Sequence, residues 1–167
     1  MNIEQKMRIT IDEARESLLR LEFPVGAVIF SGDEIVSRAH SSGESSLEFL
    51  LHAETVALLK ADKLRYLPSQ RKNMQLFTTL EPCMMCLGAA MSFYIGEIYY
   101  ALESPVDGAA EFAKRFWRDS RREIPGYGLP AIRGGVLKSQ GQDLLREYIR
   151  LVPEGPLVEF SKSLIAL

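Results

Sequence analysis

The chain has two cysteines, and both stand in one short motif, Cys83-Met84-Met85-Cys86. One of its two histidines, His52, opens a second motif upstream, His52-Ala53-Glu54. A Cys-x-x-Cys pair offers two soft sulfurs from a single turn, and a histidine elsewhere supplies a third ligand. Three protein ligands leave the fourth tetrahedral position of Zn²⁺ open for water, as in catalytic rather than structural zinc sites. Zinc lowers the pKa of a water held there to about 7. Glu54 stands beside the histidine without having to ligate the metal, so it can take a proton from that water and return it to a substrate nitrogen.

Other readings of the same residues are weaker. A Cys-x-x-Cys pair can be a redox centre, but that leaves His-x-Glu without a purpose. A structural zinc site wants a fourth protein ligand, yet the remaining histidine is His40 and there is no third cysteine. A zinc-holding partner subunit without activity is a non-enzyme alternative. Such a subunit would be expected to lose Glu54, and the chain keeps it.

These residues need elements to position them. Ile3, Met7, Ile11, Ala14 and Leu18 recur at helical spacing, which predicts an amphipathic helix over 2–20. Two short apolar runs, 25–30 and 35–39, flank Ser31-Gly32-Asp33-Glu34 and predict a hairpin. Residues 50–62 suit a helix with Leu51, Thr55, Leu58 and Leu59 inward and His52 in its first turn. A polar connection over 64–72 leads to a buried strand at 75–78, and a helix over 83–93 starts at the cysteines. Two helix N-termini facing one ion would favour thiolates and hydroxide through their partial positive charge. Gly88, Ala89 and Ala90 predict close helix packing, and Met84, Met85 and Met91 predict core filling.

Further on, 97–102 reads as a strand, 108–122 as a helix, 132–137 as a strand interrupted or ended by Gly134-Gly135, and 140–149 as a helix. Pro153-Glu154-Gly155-Pro156 breaks that helix, and Leu157, Phe160, Leu164 and Ile165 return at helical spacing. The organisation is one domain over 1–152 with a helical extension over 153–167, docked on its own domain or on a dimer partner. Alternating helices and strands give an α/β domain with helices on both faces of a central sheet.

The pattern H-x-E followed by P-C-x-x-C is that of zinc nucleobase deaminases. From Phe23 to about Ala110 the chain resembles the cytidine deaminase superfamily, nearest its tRNA adenosine deaminase and cytosine/guanine deaminase branches. The residues that carry the likeness are Pro24-Val25-Gly26-Ala27-Val28, His52-Ala53-Glu54, the run from Thr78 through Cys86 to Met91, Ile95-Gly96 and Gly108-Ala109-Ala110. The resemblance implies a three-layer α/β/α sandwich around a mixed five-stranded sheet. It implies zinc on His52, Cys83 and Cys86, Glu54 as general acid and base, and a homodimer. It also implies substrate contacts from Val25, Gly26, Ser41, Ala53, Glu81 and Pro82, with Pro24 and Gly26 letting backbone approach the base.

The chain departs from these relatives in the loop before the zinc histidine. Ser41 stands where base- and nucleoside-acting members place an asparagine, and Glu48-Phe49-Leu50 replaces their Asp-Pro-Thr. A serine hydroxyl cannot make the two-sided contact of an amide. An aspartate near Ser104 is common in relatives, and Glu103 or Asp107 could take its place. His40 reads as an exposed loop histidine, with a pocket-lining role as the alternative. Tyr127, in the turn-rich Pro125–Pro130 stretch, could cap a pocket.

Composition narrows the partners. A net charge of −2 gives no general attraction to nucleic acid. The helix over 108–122 sets Phe112, Phe116 and Trp117 on one side and Lys114, Arg115, Arg118, Arg121 and Arg122 on the other. With Glu111, Asp119 and Glu123 among them, these cations read as a solvated face rather than an RNA stripe. Apolar runs are too short to cross a bilayer, and two cysteines committed to one site point to a reducing cytoplasm. The expected function is zinc-dependent hydrolytic deamination of a nucleobase, nucleoside or related small heterocycle, with adenosine in tRNA as the alternative.

Overall fold

The computed structural model describes residues 1–43, 47–117 and 128–167. The expectations for Arg118, Asp119, Arg121, Arg122, Glu123 and Tyr127 lie outside the described residues. The first helix, α1 (Ile3–Leu18), starts in a reciprocal capping box: Gln5 N–H donates to Asn2 Oδ1 at 2.9 Å, and Asn2 N–H donates to Gln5 Oε1 at 2.8 Å. Met7, Ile11, Ala14 and Leu18 form its buried stripe, as their spacing predicts.

The hairpin of β1 (Gly26–Ser31) and β2 (Glu34–His40) turns at Gly32, whose φ of +58° suits a residue without a side chain. β3 (Met74–Leu80) pairs antiparallel to β1, while β4 (Glu97–Leu102) and β5 (Ala131–Arg133) run parallel beyond it. The sheet order is β2-β1-β3-β4-β5, the mixed five-stranded arrangement expected.

Strand alternation decides which helix covers which face. A methyl on Gly26 would lie 2.6 Å from Ala14 N, and Lys6 Nζ sits 5.3 Å from the ring centre of Phe30, so that face of β1 meets α1. Ser37, paired with Ile29 of the alternate face, donates its hydroxyl to Ala57 O at 2.8 Å. Ala57 belongs to α2 (Ala53–Asp62), which packs beside α4 (Met84–Phe93). On the other face α6 (Lys138–Leu151) joins α1, and α7 (Pro156–Ile165) lies on α6. Three layers result.

Several local expectations need correction. His52 is the N-cap of α2, not a residue of its first turn. The buried face of α2 is Ala53, Glu54, Ala57, Leu58 and Ala61, whereas Thr55 is half-buried and Leu59 is 61% exposed. Ala53, Ala57, Leu58 and Ala61 form the side of α2 that meets the sheet and α4, and Leu59 faces out. A one-turn helix, α3 (Pro68–Arg71), interrupts the 64–72 connection. Gly88 is exposed, and a methyl added there would meet no atom within 4 Å. Met84 is 59% exposed, so only Met91 of that helix's methionines is core. In α5 (Ala110–Phe116) the buried side is alanine (Ala110, Ala113), and Phe112 and Phe116 pack on each other while remaining exposed.

Candidate active site

β3 ends at Leu80, and Glu81-Pro82 carries the chain to Cys83, the N-cap of α4. The loop after β2 delivers His52 to the N-cap of α2. Neither cap position makes a side-chain capping bond, so the imidazole and the thiol are free to point at each other rather than back along their helices. His52 Nδ1 lies 3.6 Å from Cys83 Sγ and 3.5 Å from Cys86 Sγ. Tetrahedral zinc with bonds of about 2.3 Å to sulfur and about 2.0 Å to nitrogen would set such atoms about 3.5 Å apart. The three ligand atoms lie within 4.8 Å of one another and could hold a metal. Two thiols and an imidazole are a zinc-type donor set by softness, and their spacing fits it.

The electrostatics of the group follow from its contacts. In the metal-free protein the Cys86 thiol hydrogen-bonds to Cys83, and this bond, helped by His52, holds the Cys83 pKa down to about 4 against the pull of burial. Cys86 is pushed well up, first by that same bond and then by burial. One proton therefore stays on Cys86 while Cys83 is a thiolate. His52 is raised, chiefly through its bond to Cys83. Glu54, one residue into α2 from the ligand loop, is 3% exposed, and burial raises its carboxyl to about 7 although His52 opposes the shift.

These groups open onto a cavity of about 430 Å³. Of the expected substrate contacts, Val25, Ser41, Ala53 and Glu81 line it, together with His52, Glu54 and Cys83. Gly26 and Pro82 are not among its described lining residues. Gly26 instead faces α1, where a side chain would strike the helix backbone, with Thr10 O at 2.5 Å and Ala14 N at 2.6 Å. The glycine lets helix and sheet approach, which gives its missing side chain a structural reason on the face away from the expected base. Pro82 accepts the Ala109 N–H through its carbonyl at 2.9 Å.

Glu81 lines the cavity, but its carboxylate is engaged. Oε2 accepts the Ser104 N–H and Oε1 accepts the Ala110 N–H, each at 2.9 Å. It therefore ties the cysteine turn to the loop between β4 and α5. That loop brings Asp107 to the cavity, where it accepts the Ser104 hydroxyl. Glu103 instead faces solvent 3.5 Å from Lys138. His40 fits neither expectation: it ends β2, half-buried, with Nδ1 3.0 Å from Glu13 Oε1. It is not among the described lining residues.

Sequence reasoning missed part of the wall. Phe23, Phe49, Leu157 and Phe160 all line the cavity. The helical spacing of Leu157 and Phe160 is a sign of a packed helix, but nothing local says that its packing partner includes the site. Among the described residues no helix is long and apolar enough to cross a membrane.

Known proteins share this architecture. The chain is 36% identical over 136 residues to a tRNA(Ile)-lysidine synthase of Deinococcus radiodurans, a match covering 80% of this chain but only 22% of that protein's length. It is 28% identical over 145 residues to a tRNA-specific adenosine deaminase of Agrobacterium fabrum, covering 86% of this chain and 91% of the relative. Among solved structures, a tRNA:A34 deaminase superposes with a TM-score of 0.68 at 27% identity, over 83% of this chain and 96% of that one. A guanine deaminase from Bacillus subtilis superposes with a TM-score of 0.56 at 27% identity, over 77% and 85%. Residues 1–102 match the family described as the cytidine and deoxycytidylate deaminase zinc-binding region, and the chain belongs to that family.

Proposed function

We propose that the protein is a hydrolytic deaminase of a nucleobase, nucleoside or related small heterocycle, with His52, Cys83 and Cys86 as zinc ligands and Glu54 as the proton carrier. The observation that carries the reading is the spacing of the three ligand atoms, 3.5 and 3.6 Å from imidazole to sulfur, with a buried carboxyl two residues from the histidine. Zinc bound there would supply Lewis acidity and a water of lowered pKa.

Glu54, a buried carboxyl two residues from His52, is placed to accept a proton and to release it. It takes a proton from the attacking water and passes it to the exocyclic nitrogen. The new C–O bond forms at the amidine carbon, the C–N bond breaks, and ammonia leaves with that proton. Val25, Leu80 and the phenylalanines form the apolar part of the cavity wall. Zinc-loaded protein assayed for ammonia release from adenine, guanine, cytosine, their nucleosides, a triazine and tRNA tests the reading. Release from a small heterocycle supports it; full zinc loading with no release from any of them overturns it in favour of an inactive zinc-binding subunit.

Adenosine in tRNA is the second reading, favoured by the name of the Agrobacterium fabrum relative and the solved tRNA:A34 deaminase. Activity on tRNA alone in the same panel would select it. The net charge of −2 and the absence of lysine or arginine among the described cavity-lining residues favour the small substrate. A homodimer belongs to the same proposal, and exposed Leu59, Leu64, Leu67 and Met84 offer apolar surface for it. Light scattering that returned a monomer mass would remove that part.

A further inference from the structure

Two residues of the cavity wall, Leu157 and Phe160, come from α7, more than fifty residues beyond the end of the family match at 102. The helix is held independently of what it presents to the site. Val158, Ser161 and Leu164 are buried on its inner side, Gln142 Nε2 donates to Ile165 O at 3.1 Å, and Lys138 Nζ donates to Leu167 O at 3.3 Å. Leu157 and Phe160 are only half-buried, and both reach the cavity. Phe160 is seated against Phe23, ring centres 5.8 Å apart, and Phe23 is packed edge-on against Tyr148 of α6 at 5.6 Å. The segment after α1, with α6 and α7, thus builds one aromatic wall.

The chemistry of that wall limits what can occupy the space. Aromatic and aliphatic surface suits the faces of a planar ring and gives a phosphate nothing to bond. The polar side chains that line the cavity include the carboxyl groups of Glu48, Glu54 and Asp107, with no lysine or arginine among the described lining residues. Such a lining can accept hydrogen bonds from amino groups, and its described residues offer a phosphate no cationic partner. At about 430 Å³ the cavity also lies toward the small end of ligand pockets. We propose that Leu157 and Phe160 of α7 are specificity residues that restrict the site to an unphosphorylated, compact amino-heterocycle, base or nucleoside, and shut out a nucleotide held within a strand. This deepens the deaminase reading and rests on it for the claim that the bound heterocycle is turned over.

The test compares zinc-loaded wild type with Phe160→Ala and, separately, Leu157→Ala. The probes are the fluorescent nucleoside 2-aminopurine riboside and a five-nucleotide single-stranded RNA carrying 2-aminopurine at its centre, each titrated for binding, with ammonia release from the panel above measured in parallel. Wild type is expected to bind the riboside at least tenfold more tightly than the RNA, and Phe160→Ala to narrow that ratio at least tenfold while its melting transition stays cooperative. A wild type that binds the RNA as well as the riboside, or that binds neither, overturns the proposal. So does a ratio left unchanged by both variants. A ratio that shifts as expected while no heterocycle releases ammonia upholds the wall and overturns the deaminase reading alone.

Discussion

A methyl group on Gly108 would lie 2.4 Å from the carboxyl carbon of Glu81 and 2.5 Å from its Oε2. The bare backbone at Gly108 is what lets the Glu81 carboxylate fit between the Ser104 and Ala110 N–H groups. Gly108 also forms an isolated antiparallel bridge with Cys83, so the glycine, the carboxylate and the cysteine turn are one assembly. Glu81→Gln replaces an acceptor oxygen with an NH₂ group facing a backbone N–H, leaving a buried donor unsatisfied at a cost of about 1–3 kcal/mol. Because the loop so held carries Asp107, the variant should raise KM about tenfold while zinc content, measured by atomic absorption, stays at one per chain. A lowered melting temperature with KM unchanged would show that the clamp serves the fold alone.

Glu54 makes a two-part prediction. Glu54→Gln should keep zinc and lose turnover by about 10²–10⁴-fold, the usual worth of a positioned proton carrier. The metal-free protein should respond in the opposite sense. Burial raises the carboxyl from 4.5 to about 7, so the folded state holds this proton more tightly than the unfolded chain. The group's contribution to stability is therefore full below pH 4.5 and lost as pH rises through 7. Metal-free Glu54→Gln should melt above metal-free wild type at about pH 8, with the gap shrinking toward about pH 5. A gap that does not depend on pH would refute the assignment.

The two cysteines should differ sharply once zinc is chelated. Cys83, held down to about 4 by the Cys86 thiol and His52, is a thiolate near neutral pH, while Cys86 is buried and protonated. Iodoacetamide should modify Cys83 at about pH 6 nearly as fast as at about pH 8, where an ordinary cysteine would speed up by roughly two orders of magnitude. Peptide mapping reads the site, and added zinc should protect it. Equal labelling of both sulfurs would contradict the hydrogen-bond arrangement.

Gly26→Ala should cost about 1–3 kcal/mol, because the new methyl meets backbone atoms of α1 that cannot rotate away. Chemical denaturation measures it. If instead stability holds and only substrate affinity falls, Gly26 belongs to the site after all.

Legibility in the sequence follows the range of the interaction. The convergence of His52, Cys83 and Cys86 is readable because they exhaust most of the chain's soft donors, and the strand 97–102 because its residue types suit a sheet. Leu59 departs from its expected face because hydrophobicity alone does not say which side of α2 meets the sheet; Ala57, Leu58 and Ala61 take that side. A glycine near a site, such as Gly26, has two possible neighbours, and only the fold shows that α1 is the one. Phe160 reaches Phe23 across 137 positions of chain (160 − 23), a contact no periodicity encodes.

The imidazole at the head of α2 and the sulfurs at the head of α4 belong to segments separated by a strand and a one-turn helix. An ion gripping all three would act as a removable staple, drawing its binding energy only from the folded chain. Scarcity of metal would then be felt twice, as lost turnover and as a population of loosened molecules open to proteases. Supply of the ion would set how much protein persists as well as how fast it works.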